Sequence, residues 1–273
     1  MTVQIHQQAV RVQGAELYCE MRGEGPPVLI IQGGLSEAGA TEQLAEALAQ
    51  HYQVISYDRR GLSRSTASTP PATLATHADD AATLLSTVSA QPARVIGPSI
   101  GALIGLHLAV RHPERVATLV AHEPPMSSLV RDPQQEAGLD EVAALARADV
   151  QEAIRHFVSL GGNGDGSREE GARPTPPVGD IDANLRHFFA YDFPAVRDST
   201  LDVGQIAAAS PTIIPTGGAE SRGRWEYRCA EQLAHQLDRK LIEMPGGHNG
   251  LISHPWATAT ELRWLFTEAE HET

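Results

Sequence analysis

Ala93-Arg-Val-Ile-Gly-Pro-Ser99-Ile-Gly-Ala-Leu-Ile-Gly-Leu-His107 reads as a short apolar strand, an abrupt turn carrying Ser99, and a helix studded with small residues. Within it, Gly97-Pro98-Ser99-Ile100-Gly101 matches G-x-S-x-G. In that pattern the serine occupies a strained strand-to-helix turn, with its hydroxyl presented above the end of a sheet. The glycines leave room where the turn closes on its neighbours. The helix start behind Ser99 aims backbone N–H groups at any negative charge forming near the hydroxyl. Five residues alone are a weak signal, and a glycine-rich turn that only packs is the competing reading. Context strengthens the match, because an apolar strand precedes it and Ala102, Gly105 and Leu106 follow at helical spacing.

Outward from this unit, strands and helices alternate. Toward the N-terminus, Val10 to Met21 predicts a hairpin turning at Gly14-Ala15. Val28-Leu-Ile-Ile-Gln32 predicts a strand buried on both faces and ended by Gly33-Gly34. Thr41 to Gln50 predicts a helix, and Val54-Ile-Ser-Tyr57 a strand followed by Asp58-Arg59-Arg60-Gly61. Thr76 is placed to cap a helix whose apolar stripe is Ala81, Leu84, Leu85 and Val88. Beyond the Ser99 helix, which His112-Pro113 stops, Val116 to Ala121 gives another strand, ending at His122-Glu123-Pro124-Pro125.

From about Met126 to Gly204 the alternation ceases. Leu139, Val142, Ala143, Ala146, Val150, Ile154 and Phe157 recur at helical spacing, as do Ile181, Leu185, Phe188 and Phe189. Gly161 to Gly179, rich in Gly, Pro and charge, predicts a flexible connector. The alternation resumes with a strand over Pro211 to Thr216, a helix over Tyr227 to Leu237, a strand over Lys240 to Met244 and a helix from Pro255. This order predicts an α/β protein with a mostly parallel sheet covered by helices, residues 1–125 and 205–273 forming the core and 126–204 a helical insertion.

A chain of 273 residues, 41% hydrophobic, suffices for one substantial core. Its formal net charge of −13, from 21 basic and 34 scattered acidic residues, argues against nucleic-acid or anionic-membrane partners. Cys19 and Cys229 form no metal-ligand or redox spacing. Met1 to Val10 lacks the layout of a signal peptide, and the apolar run near Ala102 to Val110 is too short to span a bilayer. A cytoplasmic protein without metal or other cofactor is expected. The oligomeric state is open, a homodimer included.

Gln32-Gly33-Gly34, Asp58-Arg59-Arg60-Gly61, Gly97 to Gly101 and Gly246-Gly247-His248 together resemble the α/β-hydrolase family, over nearly the whole chain. That resemblance implies a mostly parallel eight-stranded sheet, with the helical insertion as a cap over the site. More narrowly, His122-Glu123-Pro124-Pro125 after the sixth strand resembles the branch that includes the zearalenone-type lactone hydrolases, in which the triad acid is a glutamate at this point.

A serine hydroxyl needs a base within hydrogen-bond reach, and histidine suits. Of twelve histidines, His248 stands out, because a strand delivers it onto a Gly-Gly-His-Asn-Gly loop. His254 reads as a helix-start residue, His107 and His112 as surface or packing residues, and His122 as a candidate substrate contact. The base in turn needs a carboxylate on its other nitrogen. Glu123, held by Pro124-Pro125, is favoured, and Glu220 in Thr216-Gly-Gly-Ala-Glu220-Ser221 is the second choice. The oxyanion requires two donors, assigned to the backbone N–H groups of Ile100 and Gly34. Gln32 stands where many family members place a histidine, and Pro98 donates nothing before the serine. Asp58-Arg59-Arg60 reads as a structural tie between loops. Phe188, Phe189, Tyr191 and Phe193 either line an apolar pocket or pack internally. The resulting expectation is a serine esterase or lactonase acting on a small apolar molecule. Alternatives are C–C bond hydrolysis or cofactor-free perhydrolase or haloperoxidase chemistry on the same triad, and a non-catalytic binding protein. A serine in place of a nucleophilic aspartate argues against a dehalogenase or epoxide hydrolase.

Overall fold

The computed structural model describes residues 4–68, 72–161, 166–173 and 179–271. The chain opens with a hairpin, β1 (Ile5–Val12) and β2 (Ala15–Arg22). There follow β3 (Pro27–Ile30), α1 (Glu42–Leu48), β4 (Gln53–Tyr57), β5 (Thr66–Ala67), α2 (Leu74–Val88), β6 (Ala93–Pro98), α3 (Ile100–Arg111) and β7 (Val116–His122). A helical segment comes next: α4 (Pro133–Ala146), α5 (Val150–Leu160), α6 (Ile181–His187), α7 (Phe193–Arg197) and α8 (Val203–Ala208). The chain closes with β8 (Thr212–Gly218), α9 (Trp225–Gln236), β9 (Ile242–Met244), α10 (Gly250–Ser253) and α11 (Pro255–His271).

The sheet order is β1-β2-β4-β3-β6-β7-β8-β9, antiparallel through β4 and parallel from there on. Eight strands therefore form the path expected from the sequence. The two-residue β5 adds a ninth beside β2, and it is too short and too exposed to leave an alternating pattern. Strand β3 shows why the parallel strands read as unbroken apolar runs. Val28 and Ile30 pack with Leu44, Leu48, Leu262 and Phe266 on one face, while Leu29 and Ile31 pack with Leu84, Leu103 and Leu106 on the other.

From β3 the chain goes to β4 on one side, and later to β6 on the other. The carboxyl ends of β3 and β6 thus flank a topological switch point, where α/β sheets open a crevice for ligands.

Two local readings change. The N-cap of α2 is Thr73, whose hydroxyl accepts from the Thr76 backbone N–H. Thr76 is the third helical residue and its hydroxyl accepts from the Thr73 N–H in return, so the two form a capping box. The Gly161 to Gly179 connector lies partly outside the described residues, but 166–173 is tied down. Glu169 donates its N–H to the Ser253 carbonyl, and its carboxylate accepts from Trp256 N and Ala257 N at the start of α11. The helical segment has a core of its own, in which Phe157 meets Phe188, Phe189 and Phe193 at centroid distances of 5.9, 6.4 and 5.8 Å.

Candidate active site

Ser99 joins β6 to α3 at φ 55° and ψ −124°, a left-handed conformation uncommon for a residue with a side chain. Its glycine neighbours permit the turn. A Cβ on Gly97 would sit 2.3 Å from the Gly101 carbonyl oxygen, and one on Gly101 would sit 2.2 Å from that of Ile31. The Ser99 N–H donates to the His122 carbonyl at 2.9 Å, which ties the elbow to the end of β7.

Glu123 follows β7 and is itself in the left-handed region, at φ 49°. Its N–H donates to the Thr216 carbonyl at 3.0 Å, so the sheet holds the strained residue in place. The carboxylate is 1% exposed. Its Oε2 accepts from His248 Nδ1 at 2.7 Å, while Oε1 accepts from the Gly218 N–H at 2.8 Å and from the Ser221 hydroxyl. Burial works against the charge on Glu123. The bond from His248, with help from His122 and Ser221, outweighs it and brings the carboxyl down to about 2. For His248 burial again disfavours the charge, and the bond to Glu123 prevails and raises it above the ordinary imidazole value. With the proton on Nδ1, Nε2 is left as an acceptor.

His122 is buried beneath the loop that carries His248, with Nδ1 3.1 Å from Thr216 Oγ1 and Nε2 3.3 Å from the Gly247 carbonyl oxygen. Burial lowers its proton affinity. It props this loop and is absent from the cavity wall among the described residues, which replaces its reading as a substrate contact. Glu220 stands on the exposed side, where it accepts from the Ser167 N–H at 2.8 Å and from the Ser167 hydroxyl. That hydroxyl also lies 3.1 Å from His254 Nε2. The structure therefore brings Glu123, and not Glu220, to the imidazole.

Ser99, His248, Gly34 and Ile100 all open onto one cavity of about 520 Å³, a size suited to a small organic molecule. Leu139, Phe157, Phe188, Phe193, Trp225 and Leu251 give it mainly apolar walls. Gly34 admits no side chain without movement, because a Cβ there would lie 2.9 Å from Phe188 Cε2. Phe188 and Phe193 line the cavity, Phe189 packs within the helical segment, and the Tyr191 ring lies 4.9 Å from that of His187. Gln32 donates through Nε2 to Thr41 Oγ1 at 2.8 Å, anchoring the start of the Gly33-Gly34 turn from a buried position. The Asp58-Arg59-Arg60 run does tie loops together. Asp58 accepts from Ala38 N and from Arg64, and Arg60 grips both oxygens of Asp80 at 2.6 Å. Sequence reasoning missed Gly218 and Ser221 as donors to Glu123. Gly218 ends β8 and Ser221 follows in the next loop, beside the end of β7, and that place is the signal that points to them.

A family model for the alpha/beta hydrolase fold matches residues 26–272. The chain belongs to the alpha/beta hydrolase family. It is 34% identical over 252 residues to the uncharacterized hydrolase YraK of Bacillus subtilis (strain 168), covering 90% of each chain. Among solved structures of this fold, a hydrolase from Pseudomonas aeruginosa PA01 superposes with a TM-score of 0.73 at 23% identity, covering 94% of this chain and 97% of that one. The enol-lactonase from Burkholderia xenovorans LB400 gives 0.74 at 18% identity, covering 95% and 100%. This chain is accordingly a hydrolase of the family, and none of its described helices is long and apolar enough to cross a membrane.

Proposed function

We propose that the protein is a serine hydrolase that cleaves the ester or lactone bond of a small, largely apolar molecule, with Ser99 as nucleophile, His248 as base and Glu123 as its acid partner. The observation that carries this reading is the 2.7 Å bond between His248 Nδ1 and a buried, charged Glu123, beside a strained Ser99 that faces the same apolar cavity. The branch of the family with a glutamate after the sixth strand is the one this acid fits. An enol-lactonase among the structural neighbours is in keeping with a lactone substrate.

In this mechanism Ser99 Oγ bonds to the carbonyl carbon and its proton passes to His248 Nε2. The N–H groups of Gly34 and Ile100 receive the oxyanion. As the intermediate collapses, the C–O bond to the leaving group breaks and His248 returns the proton to the departing oxygen. Water, deprotonated by the same imidazole, then releases the acyl group from Ser99 as a carboxylic acid. A lactone yields one hydroxy acid in place of two products. Glu123 stays charged throughout and steadies the imidazolium.

The test is hydrolysis of a short-chain aryl ester and a macrocyclic lactone by the wild type and Ser99→Ala, with labelling by a serine-directed fluorophosphonate. Wild-type turnover, labelling at Ser99 and loss of both in Ser99→Ala are expected. Labelling without turnover on the panel overturns the substrate class, and the absence of labelling overturns the nucleophile.

A further inference from the structure

Arg59, which follows β4, is fully enclosed and reaches the turn that carries Gly34. Its Nη1 donates to the carbonyls of Gln32 at 2.8 Å and Gly33 at 2.7 Å, and Nη2 donates to that of Gly34 at 2.6 Å. Three consecutive carbonyls are gripped by one rigid fork. In a trans peptide the N–H points opposite the C=O. Pinning the Gly33 carbonyl therefore sets the direction of the Gly34 N–H, away from the guanidinium.

The fork is itself anchored. Asp192 Oδ2 accepts from Arg59 Nη2 at 3.0 Å, and Oδ1 lies 3.1 Å from His77 Nε2, with Asp192 and His77 0% and 1% exposed. Asp192 ends the π-helical turn Phe188–Asp192 between α6 and α7, a rare element that often marks functional sites. Phe188, at the other end of this turn, is the ring that presses on Gly34. One turn of the helical segment thus reaches the same glycine twice, by direct contact and through Arg59. Enclosing a guanidinium is costly, and apolar packing serves stability at least as well. What the ion pair supplies and packing cannot is a set of directed donors.

We propose that Arg59, held by Asp192 and His77, is a positioning residue that aims the Gly34 N–H at the oxyanion, so that the Phe188–Asp192 turn takes part in catalysis as well as walling the pocket. This rests on the serine-hydrolase reading above. Removing one oxyanion donor outright costs about 100- to 1,000-fold in kcat. A misaimed donor should cost less, about 10- to 100-fold.

The experiment compares Asp192→Asn, which keeps shape and removes charge, with the wild type in kcat, KM and two inhibition constants. One inhibitor is an aryl trifluoromethyl ketone, which adds to Ser99 and places an oxyanion in the hole. The other is the corresponding alcohol, which only fills the pocket. The expected result is a kcat loss of about 10- to 100-fold with KM within about threefold. The ketone should weaken in step with kcat/KM, the alcohol should bind as before, and the acid limb of the pH profile should stay in place. A folded variant in which kcat and the ketone move by less than about threefold overturns the proposal, as does equal weakening of both inhibitors, which would mean pocket damage. If Asp192→Asn does not fold, His77→Gln is judged by the same correlation at smaller amplitude. Absence of labelling and turnover in the wild type would instead defeat the serine-hydrolase reading itself, whatever the variants do.

Discussion

Two enclosed carboxylates sit on either side of the candidate site, and they do different work with the same physics. Glu123 gathers His248, the Gly218 N–H and the Ser221 hydroxyl, while Asp192 gathers Arg59 and His77. Burial opposes the charge on both, and the donors around each hold both well below the usual carboxylate range. The difference lies in the partner. That of Glu123 is a partly exposed imidazole on the cavity wall, able to take up and release a proton. Asp192 pairs with a wholly enclosed guanidinium, a planar fork of donors spent on the Gln32, Gly33 and Gly34 carbonyls. A carboxylate against an imidazole tunes a proton transfer, and one against a guanidinium fixes a geometry. The two should therefore fail differently when broken.

Glu123→Gln should have the largest effect, a loss of about 10³- to 10⁴-fold in kcat. It should also move the pH profile. In the proposed mechanism activity needs neutral His248, so in the wild type it should fall as pH drops through a value raised above the ordinary 6.5. Without the bond and charge of the glutamate, burial is opposed only by the more distant Glu226, and the acid limb should shift to lower pH. Asp192→Asn, by contrast, should depress the rate with no shift of the limb. Stability gives a second reading of the same pair. Glu123 is depressed from 4.5 to about 2, so its contribution is present above 4.5 and lost as pH falls toward 2. His248 is raised, so its contribution is present below the ordinary imidazole value and lost as pH rises through the raised one. Thermal melts of wild type and Glu123→Gln should thus converge as pH falls toward 2, and the gap should narrow without closing as pH rises through the imidazole's raised value. An acid limb that stays in place in Glu123→Gln would remove the proposed division of labour.

Much of the first carboxylate's setting was legible in the chain. Short apolar runs, each closed by Gly, Pro or a charged cluster, mark the ends of β3, β6, β7 and β9, and the site is built at those ends. The pairing of His248 with Glu123 in preference to Glu220 rests on something spacing does not encode. It depends on which strand-end loop turns inward, and the left-handed φ of Glu123 and the Thr216 carbonyl decide that. The second carboxylate was almost invisible. Arg59 and Asp192 are 133 residues apart, and the segment that delivers Asp192 is placed by packing among Phe157, Phe188, Phe189 and Phe193. A single Asp within Phe188-Phe-Ala-Tyr-Asp192-Phe193 was the one local hint, because an acid amid aromatics needs an enclosed partner. The capping threonine was misread by three residues, since either member of a capping box offers a hydroxyl to the other.

A smaller effect is expected from Ser221→Ala, which takes one donor from Glu123 and leaves His248 and Gly218 in place. A hydrogen bond to a charged group contributes about 1.5–3 kcal/mol. For a domain of this size, that corresponds to a fall in melting temperature of about 5 °C. Turnover should drop by about three- to tenfold with KM unchanged, because the carboxylate stays charged but is less firmly aimed. A drop as deep as that of Glu123→Gln would mean that Ser221, and not the sheet, sets the carboxylate in place.

Glu220→Gln should do least, and it bears most directly on how the two glutamates after β7 and β8 divide. Glu220 lies on the loop after β8, beside the Gly246-Gly247-His248 loop, with its N–H donating to the Gly246 carbonyl at 2.8 Å. That contact belongs to its backbone and survives the substitution. The side chain engages Ser167 on the exposed surface, where Ser167 lowers its proton affinity without any involvement of His248. A glutamine carbonyl still accepts from the Ser167 N–H, and a lone exposed charge does little across a solvent-screened gap. Turnover should remain within about twofold of the wild type, with the acid limb in place, because the groups that shift the imidazole are Glu123, Glu226 and Arg224, and Glu220 is not one of them. A shift of that limb in Glu220→Gln, matched by silence in Glu123→Gln, would exchange the roles of the two residues. It would also require the loop after β8 to turn inward during turnover, breaking the Ser167 contacts that now hold Glu220 at the surface.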